Sequence, residues 1–263
     1  MVRYIIVGNQ RSGTSAVHNA LKDHPECSAL NDEIGIDPFF TKGFSVFTHG
    51  NESYWENQKG LLRLFDCITS VRATEQTKAI GLKTVVKNEE GANQFIESVK
   101  KNLQGIKIIF TYRQDFVAQY GSLKKAQITG IWHSWQKKTS DIRITIKQEA
   151  YEKYLLDCLA ALDIIRDLND THDLLVFEYE KDLVTGNYKT LFDFVEVSNL
   201  PVNWMYTAKV SPEPEVYISD YADYKKKTDY YINNRENLER MVGQHKKTKN
   251  NIFKKAVKRL TGN

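Results

Sequence analysis

The 263-residue chain is long enough for one large α/β domain and short for two. A composition of 41% hydrophobic and 27% charged residues is that of an ordinary globular protein, and no apolar run reaches the ~18 residues of a membrane-spanning helix. The net charge of +4 comes from residues 246–263, which hold seven basic residues and no acid; without them the balance of 37 basic and 33 acidic residues turns acidic, which argues against a nucleic-acid groove across the body.

The first element is RYIIVG, residues 3–8, an apolar run that reads as a buried parallel strand rather than as the apolar part of a cleavable leader. The stretch VGNQRSGTS, residues 7–15, follows the phosphate-loop spacing of Gly, four residues, Gly, one residue and Ser, with Thr14 where the nucleotide-binding template has lysine. A strand, a glycine turn and a helix start aim free backbone N–H groups at an anion, and Gly13 lets the backbone approach closely. Arg11 and the hydroxyls of Ser12, Thr14 and Ser15 add donors. A lysine and Mg²⁺ serve the high charge of a transferring phosphoryl group. Their place can be taken by an arginine and hydroxyls if the transferred group is a less charged sulfuryl, and a kinase with a substituted loop stays open at this point.

A helix is expected from about Thr14, with Val17 and Leu21 in the core, ending before His24-Pro25, and another from about Tyr54 to Arg72. AIGLKTVV (79–86) is a second strand, ANQFIESVKKNL (92–103) a helix, IKIIFTY (106–112) a third strand and DFVAQYGSLKKA (115–126) a helix. Tyr151, Leu155, Leu159, Leu162 and Ile165 recur every three or four residues and mark a helix over about 147–168. DLLVFEY (173–179) is a fourth strand, followed by a helix over about 188–196. Alternating strands and helices predict an α/β fold, a parallel β-sheet flanked by helices. From Ser211 onward regular structure is least legible. Residues 1–245 read as a single domain and 246–263 as a basic amphipathic tail, with Ile252, Phe253, Ala256, Val257 and Leu260 on one face. That tail suits a helix packed on the body, a frayed end, or peripheral contact with an anionic membrane.

Arg113 closes the third strand, and Ser122 follows nine residues later on the next helix. An arginine fork supported by a serine is a second anion site, and two separated anion sites on one sheet edge suit a nucleotide carrying phosphates at both ends of its ribose.

These pieces together resemble the sulfotransferase family that uses 3′-phosphoadenosine 5′-phosphosulfate (PAPS). NQRSGTS looks like its loop for the 5′-phosphosulfate and YRQDFVAQYGS like its 3′-phosphate segment. FEYEKDL (177–183) resembles its Y-E-D-L element with one residue inserted, and KVSPEPEVYISDYADY (209–224) its K-x-S-P stretch. AQYGSLKKAQITGIW (118–132) resembles most the bacterial trehalose-sulfotransferase-like branch. The resemblance covers residues 3–224 in patches. It departs from the family pattern in two places: the arginine-to-serine spacing is one residue longer, and RQDF lacks the family's proline.

The resemblance implies a P-loop-kinase-like sulfotransferase fold and transfer of a sulfuryl group from PAPS to a hydroxyl of a carbohydrate-like or other small acceptor, with release of 3′,5′-ADP and no metal requirement. By position Arg11, Ser12, Gly13, Thr14 and Ser15 would hold the 5′-phosphosulfate, Arg113 and Ser122 the 3′-phosphate, and Lys209 would approach from the C-terminal loop. The acceptor hydroxyl needs a base. The resemblance to the trehalose-sulfotransferase-like branch implies a glutamate shortly after the first helix, which makes Glu33 in ALNDEIG the leading candidate, with Asp32, His133, His18, His24 and His49 as competitors. Lys83 is either a contact to the acceptor or sulfuryl oxygens or a strand-end charge, and Trp55, Trp132 and Trp135 are either core or platforms for a sugar. The alternatives are a P-loop phosphotransferase and a non-catalytic nucleotide-binding protein. Cys27, Cys67 and Cys158 form no framework or zinc spacing, so a cytoplasmic setting is expected, with membrane-peripheral placement tied to the tail.

Overall fold

A computed structural model describes residues 1–29, 65–66, 68–70, 72–102, 104–132, 142–202 and 213–243. Five parallel strands form its sheet: β1 (Val2–Gly8), β2 (Cys27–Ala29), β3 (Ala79–Lys83), β4 (Lys107–Tyr112) and β5 (Leu174–Glu178), in the order β2-β3-β1-β4-β5. The helices are α1 (Thr14–Lys22), α2 (Glu89–Asn102), α3 (Phe116–Thr129), α4 (Gln148–Arg166), α5 (Lys189–Phe194), α6 (Pro214–Tyr217), α7 (Tyr221–Asn233) and α8 (235–243).

The strands lack an apolar–polar alternation because both faces are covered. Ile5 and Val7 of β1 join Ile80, Leu82, Ile108 and Phe110 under α2 and α4, where Phe95, Val99, Ala161 and Ile165 meet them. Tyr4 and Ile6 point the other way, with Ile109 and Phe177, toward Val17 and Leu21 of α1 and Leu191 and Phe192 of α5. The ring of Tyr4 lies over Gly81, where a methyl group would stand 1.9 Å from a ring carbon.

The α/β class and the parallel sheet agree with the sequence reading, and one of its expectations is corrected. It anticipates four strands, and β2 is a fifth, whose three residues are too short to show a period. Between 214 and 243, where regular structure is least legible in the sequence, the chain forms helices α6, α7 and α8. Their buried residues Tyr217, Tyr224, Tyr231 and Leu238 recur every seven positions, two helical turns, among exposed lysines and acids that mask the stripe. They pack with Tyr120 of α3 and Tyr151 and Leu155 of α4, and the Tyr151 ring meets Tyr120 and Tyr224 edge-on with centroids 5.3 and 5.4 Å apart.

Strand order positions the site. From β1 the chain departs toward β2 at one edge, and from β4 toward β5 at the other. Ligands of open α/β sheets bind at the carboxyl ends of strands where the order reverses in this way. Gly8 of β1 pairs with Thr111 of β4, so the two segments singled out in the sequence leave from neighbouring strand ends.

Candidate functional site

The loop after β1 is built around two left-handed residues, Arg11 (φ 67) and Gly13 (φ 100). Glycine takes that conformation without cost; an arginine held there is strained. Gly8 has no room for a side chain, since a methyl would lie 2.1 Å from Thr111 Oγ1 and 2.7 Å from the Thr111 carbonyl. The Ser12 N–H donates to the Asn9 carbonyl (3.2 Å), and the buried Ser12 hydroxyl shares a 2.7 Å hydrogen bond with Thr111 Oγ1. Ser12 therefore anchors the loop to β4. Gly13 caps α1, and the N–H groups of the first helical turn, around Thr14 and Ser15, face outward because no carbonyl of the same helix precedes them.

Lys83, 2% exposed at the end of β3, donates from Nζ to Ser15 Oγ at 3.2 Å. An ammonium group thus reaches the loop from a neighbouring strand. The sequence reading leaves Lys83 open between a functional contact and a strand-end charge; the structure puts it at the loop.

On the β4 side, Arg113 is 9% exposed and its guanidinium carbon sits 4.4 Å from the centre of the Tyr179 ring. Its Nε lies 3.5 Å from Glu180 Oε1 and makes no hydrogen bond among the described residues. Glu180 accepts from the N–H groups of Gln114 (3.0 Å) and Asp115 (3.3 Å). Asp115 caps α3 by accepting from the Ala118 N–H (2.9 Å), and it receives the Tyr221 hydroxyl at 2.5 Å. Tyr179–Leu183 forms a π-turn, in which the Val184 N–H donates five residues back to the Tyr179 carbonyl (2.9 Å).

Arg11 joins the two sides. Its Nε donates to Ser122 Oγ (3.0 Å) and its Nη1 to the Trp132 carbonyl (2.6 Å). Gln119 Nε2 of α3 donates to the Gln10 carbonyl of the loop (2.9 Å). Burial, and then the nearby charge of Arg113, push the Arg11 guanidinium below its usual pKa. Burial raises the Tyr217 hydroxyl to about 12, against the pull of Arg113 and Arg11.

The structure therefore gathers Arg11, Ser12, Gly13, Thr14, Ser15, Ser122 and Arg113 at the carboxyl ends of the neighbouring strands β1 and β4. Ser122 is bonded to Arg11. The residue one position earlier is Gly121. A methyl there would fall 2.3 Å from Ile218 Cδ1, so α6 closes on α3 at that point. Glu33, Asp32, Lys209, His49, His133, Trp55, Trp135 and the tail lie outside the described residues. His24 is a structural tie: its Nδ1 accepts from the Glu26 N–H (3.1 Å), its Nε2 meets the Ser198 carbonyl (2.7 Å), and its ring packs on Phe192. His18 is buried in α1. The sequence reading missed Thr111, Gln119, Tyr179 and Glu180. The last two stand within the quoted FEYEKDL, but nothing local announces which side chains they meet.

Neither a family model nor a curated protein matches the sequence. Among solved structures, the chain is similar to a sulfotransferase from Alicyclobacillus acidocaldarius, at 15% identity and a TM-score of 0.52, over 92% of this chain and 96% of the other. That likeness shows the sulfotransferase fold. Among the described residues no helix is long and apolar enough to cross a membrane.

Proposed function

We propose that this chain is a sulfotransferase that takes PAPS as donor and passes its sulfuryl group to a hydroxyl of a carbohydrate-like or other small acceptor. The observation that carries the reading is the pair of anion-directed segments on the neighbouring strands β1 and β4, joined by the Arg11–Ser122 hydrogen bond. The residues present suit such a donor. Gly8 and Gly13 let the loop pack against Thr111 and the Tyr179–Leu183 turn, the first N–H groups of α1 are left without carbonyl partners in the helix, and Arg113, 9% exposed, holds a second positive charge near Arg11.

The loop also favours a sulfuryl over a phosphoryl group. In phosphate-loop NTPases the hydroxyl corresponding to Ser15 holds Mg²⁺. Here Ser15 Oγ accepts from the Lys83 ammonium, a single positive charge suited to a donor of lower charge. In this reading the Gly13, Thr14 and Ser15 N–H groups and Arg11 hold the 5′-phosphosulfate, with Ser12 fixing the loop's shape. Arg113 holds the 3′-phosphate, Ser122 orients Arg11, and Lys209 approaches from the C-terminal segment. PAPS supplies an activated sulfuryl group: the acceptor oxygen bonds to its sulfur as the bond to the 3′,5′-ADP oxygen breaks. Glu33 takes the proton leaving the acceptor hydroxyl, and Lys83 and Arg11 stabilise the charge that develops on the sulfuryl oxygens.

Thermal denaturation of the full chain with 3′,5′-ADP, ADP or ATP–Mg²⁺ at equal concentration tests this reading. A ligand at a hundredfold excess over its Kd adds about 2.7 kcal/mol to stability. A selective rise with 3′,5′-ADP is expected. A rise with ATP–Mg²⁺ alone would point to a kinase, and no rise with any of the three to a protein that does not use these nucleotides.

A further inference from the structure

The π-turn Tyr179–Leu183 touches both anion-directed segments. On one side, a methyl at Gly13 would stand 3.1 Å from Tyr179 Cδ2 and 3.0 Å from Leu183 Cδ1, so the turn packs against the head of α1. On the other, the Arg113 guanidinium carbon lies 4.4 Å from the centre of the Tyr179 ring, and Glu180 reaches Gln114, Asp115 and the Nε edge of Arg113. The Nε edge, the one toward Glu180, makes no hydrogen bond among the described residues, so the contact there is an ion pair at 3.5 Å. An arginine recognises a phosphate well when its plane is fixed and one edge of its fork is left open.

We propose that Glu180 is a positioning residue for Arg113 and that the π-turn braces the two halves of the donor site. Glu180 is locked to the start of α3 by two N–H donors. From there its carboxylate draws the Nε edge inward, the Tyr179 ring fixes the plane, and the Nη edge is presented to the 3′-phosphate. A turn closing over five residues, rather than four, carries Tyr179 and Glu180 to different loops. The inference rests on the donor reading above for the identity of the anion, and on geometry alone for the hold on Arg113.

Calorimetric titration of the full chain with 3′,5′-ADP and 5′-AMP tests it in wild type, Glu180→Ala, Glu180→Gln, Arg113→Ala and the Arg113→Ala/Glu180→Ala pair. Glu180→Ala should weaken 3′,5′-ADP about tenfold, the size of one lost charge-assisted contact, and leave 5′-AMP unchanged. Glu180→Gln, which keeps one acceptor oxygen where Gln114 and Asp115 have two, should fall between. In the Arg113→Ala background, Glu180→Ala should cost nothing further. Equal weakening of both ligands, no weakening, or tighter 3′,5′-ADP would overturn the proposal, the last by showing that the carboxylate competes for Arg113. A second readout needs no ligand. The Arg113 Nε–H resonance, assigned by its loss in Arg113→Lys, should exchange slowly with water in wild type and rapidly in Glu180→Ala. Unchanged exchange would also overturn the proposal. If wild type does not prefer 3′,5′-ADP to 5′-AMP, the donor reading fails, and the exchange rate alone decides whether Glu180 holds Arg113.

Discussion

The two ends of the sheet use the same residue types to opposite effect. At the amino end charges are closed on one another. Glu26 receives Lys78 Nζ (2.6 Å), the Ser198 N–H (2.6 Å) and the Ser198 hydroxyl (3.0 Å). These partners, Lys78 first, hold its carboxyl down at about 2. Lys107 likewise donates to the Phe194 carbonyl and to Glu196, each at 2.7 Å. At the carboxyl end Arg11 spends its donors on a neutral hydroxyl and a carbonyl, and Arg113 lies beside a carboxylate already taken by two N–H groups. Charge satisfied internally ties elements together. Charge held in place but incompletely matched is what an anionic ligand can use.

That contrast can be broken by substitution at either end. The largest effect is expected from Arg11→Ala, which removes a charged side chain bridging both segments. Sulfuryl transfer, followed as 3′,5′-ADP release with acceptor present, should fall about 10²–10³-fold, as when a donor to developing charge is lost. Wild-type turnover in that variant would take the loop out of the mechanism. Next is Arg113→Ala, which should weaken 3′,5′-ADP about a hundredfold, in the range for truncating one partner of a charged pair. 5′-AMP should be spared, and equal losses would contradict a 3′-phosphate role.

Two smaller effects sharpen the comparison. Gly121→Ala places a methyl against Ile218 where α6 closes on α3. It should cost about 1–3 kcal/mol in denaturant unfolding, and unchanged stability would mean that this contact is slack. At the amino end, Glu26 has a folded pKa of about 2 against an ordinary 4.5. Its contribution to stability is therefore complete above pH 4.5 and lost as pH falls toward 2. Glu26→Gln should flatten the fall in melting temperature across that window and leave 3′,5′-ADP affinity at neutral pH untouched. An unaltered acid profile would show that the cluster does not couple to folding.

The sequence by itself determined what depends on neighbouring residues. An unalternating apolar run followed by NQRSGTS specifies a buried strand, a turn with a left-handed glycine and a helix start, because backbone chemistry over a few residues is enough. The alternation of elements likewise specified a parallel sheet, and Arg113 was legible as a charge at a strand end. Tertiary structure alone decided the rest. Ser15 meets Lys83 across 68 residues and Arg11 meets Ser122 across 111, contacts that exist because β1 lies between β3 and β4. The absent loop lysine was visible as a gap at Thr14, and Lys83 stood open between a site contact and a strand-end charge; only the packing of β3 beside β1 put its ammonium on Ser15. Glu180 stood in plain view as one acid among many. Only the order of the strands, set by burying both faces of the sheet, brought it to the start of α3 beside Arg113.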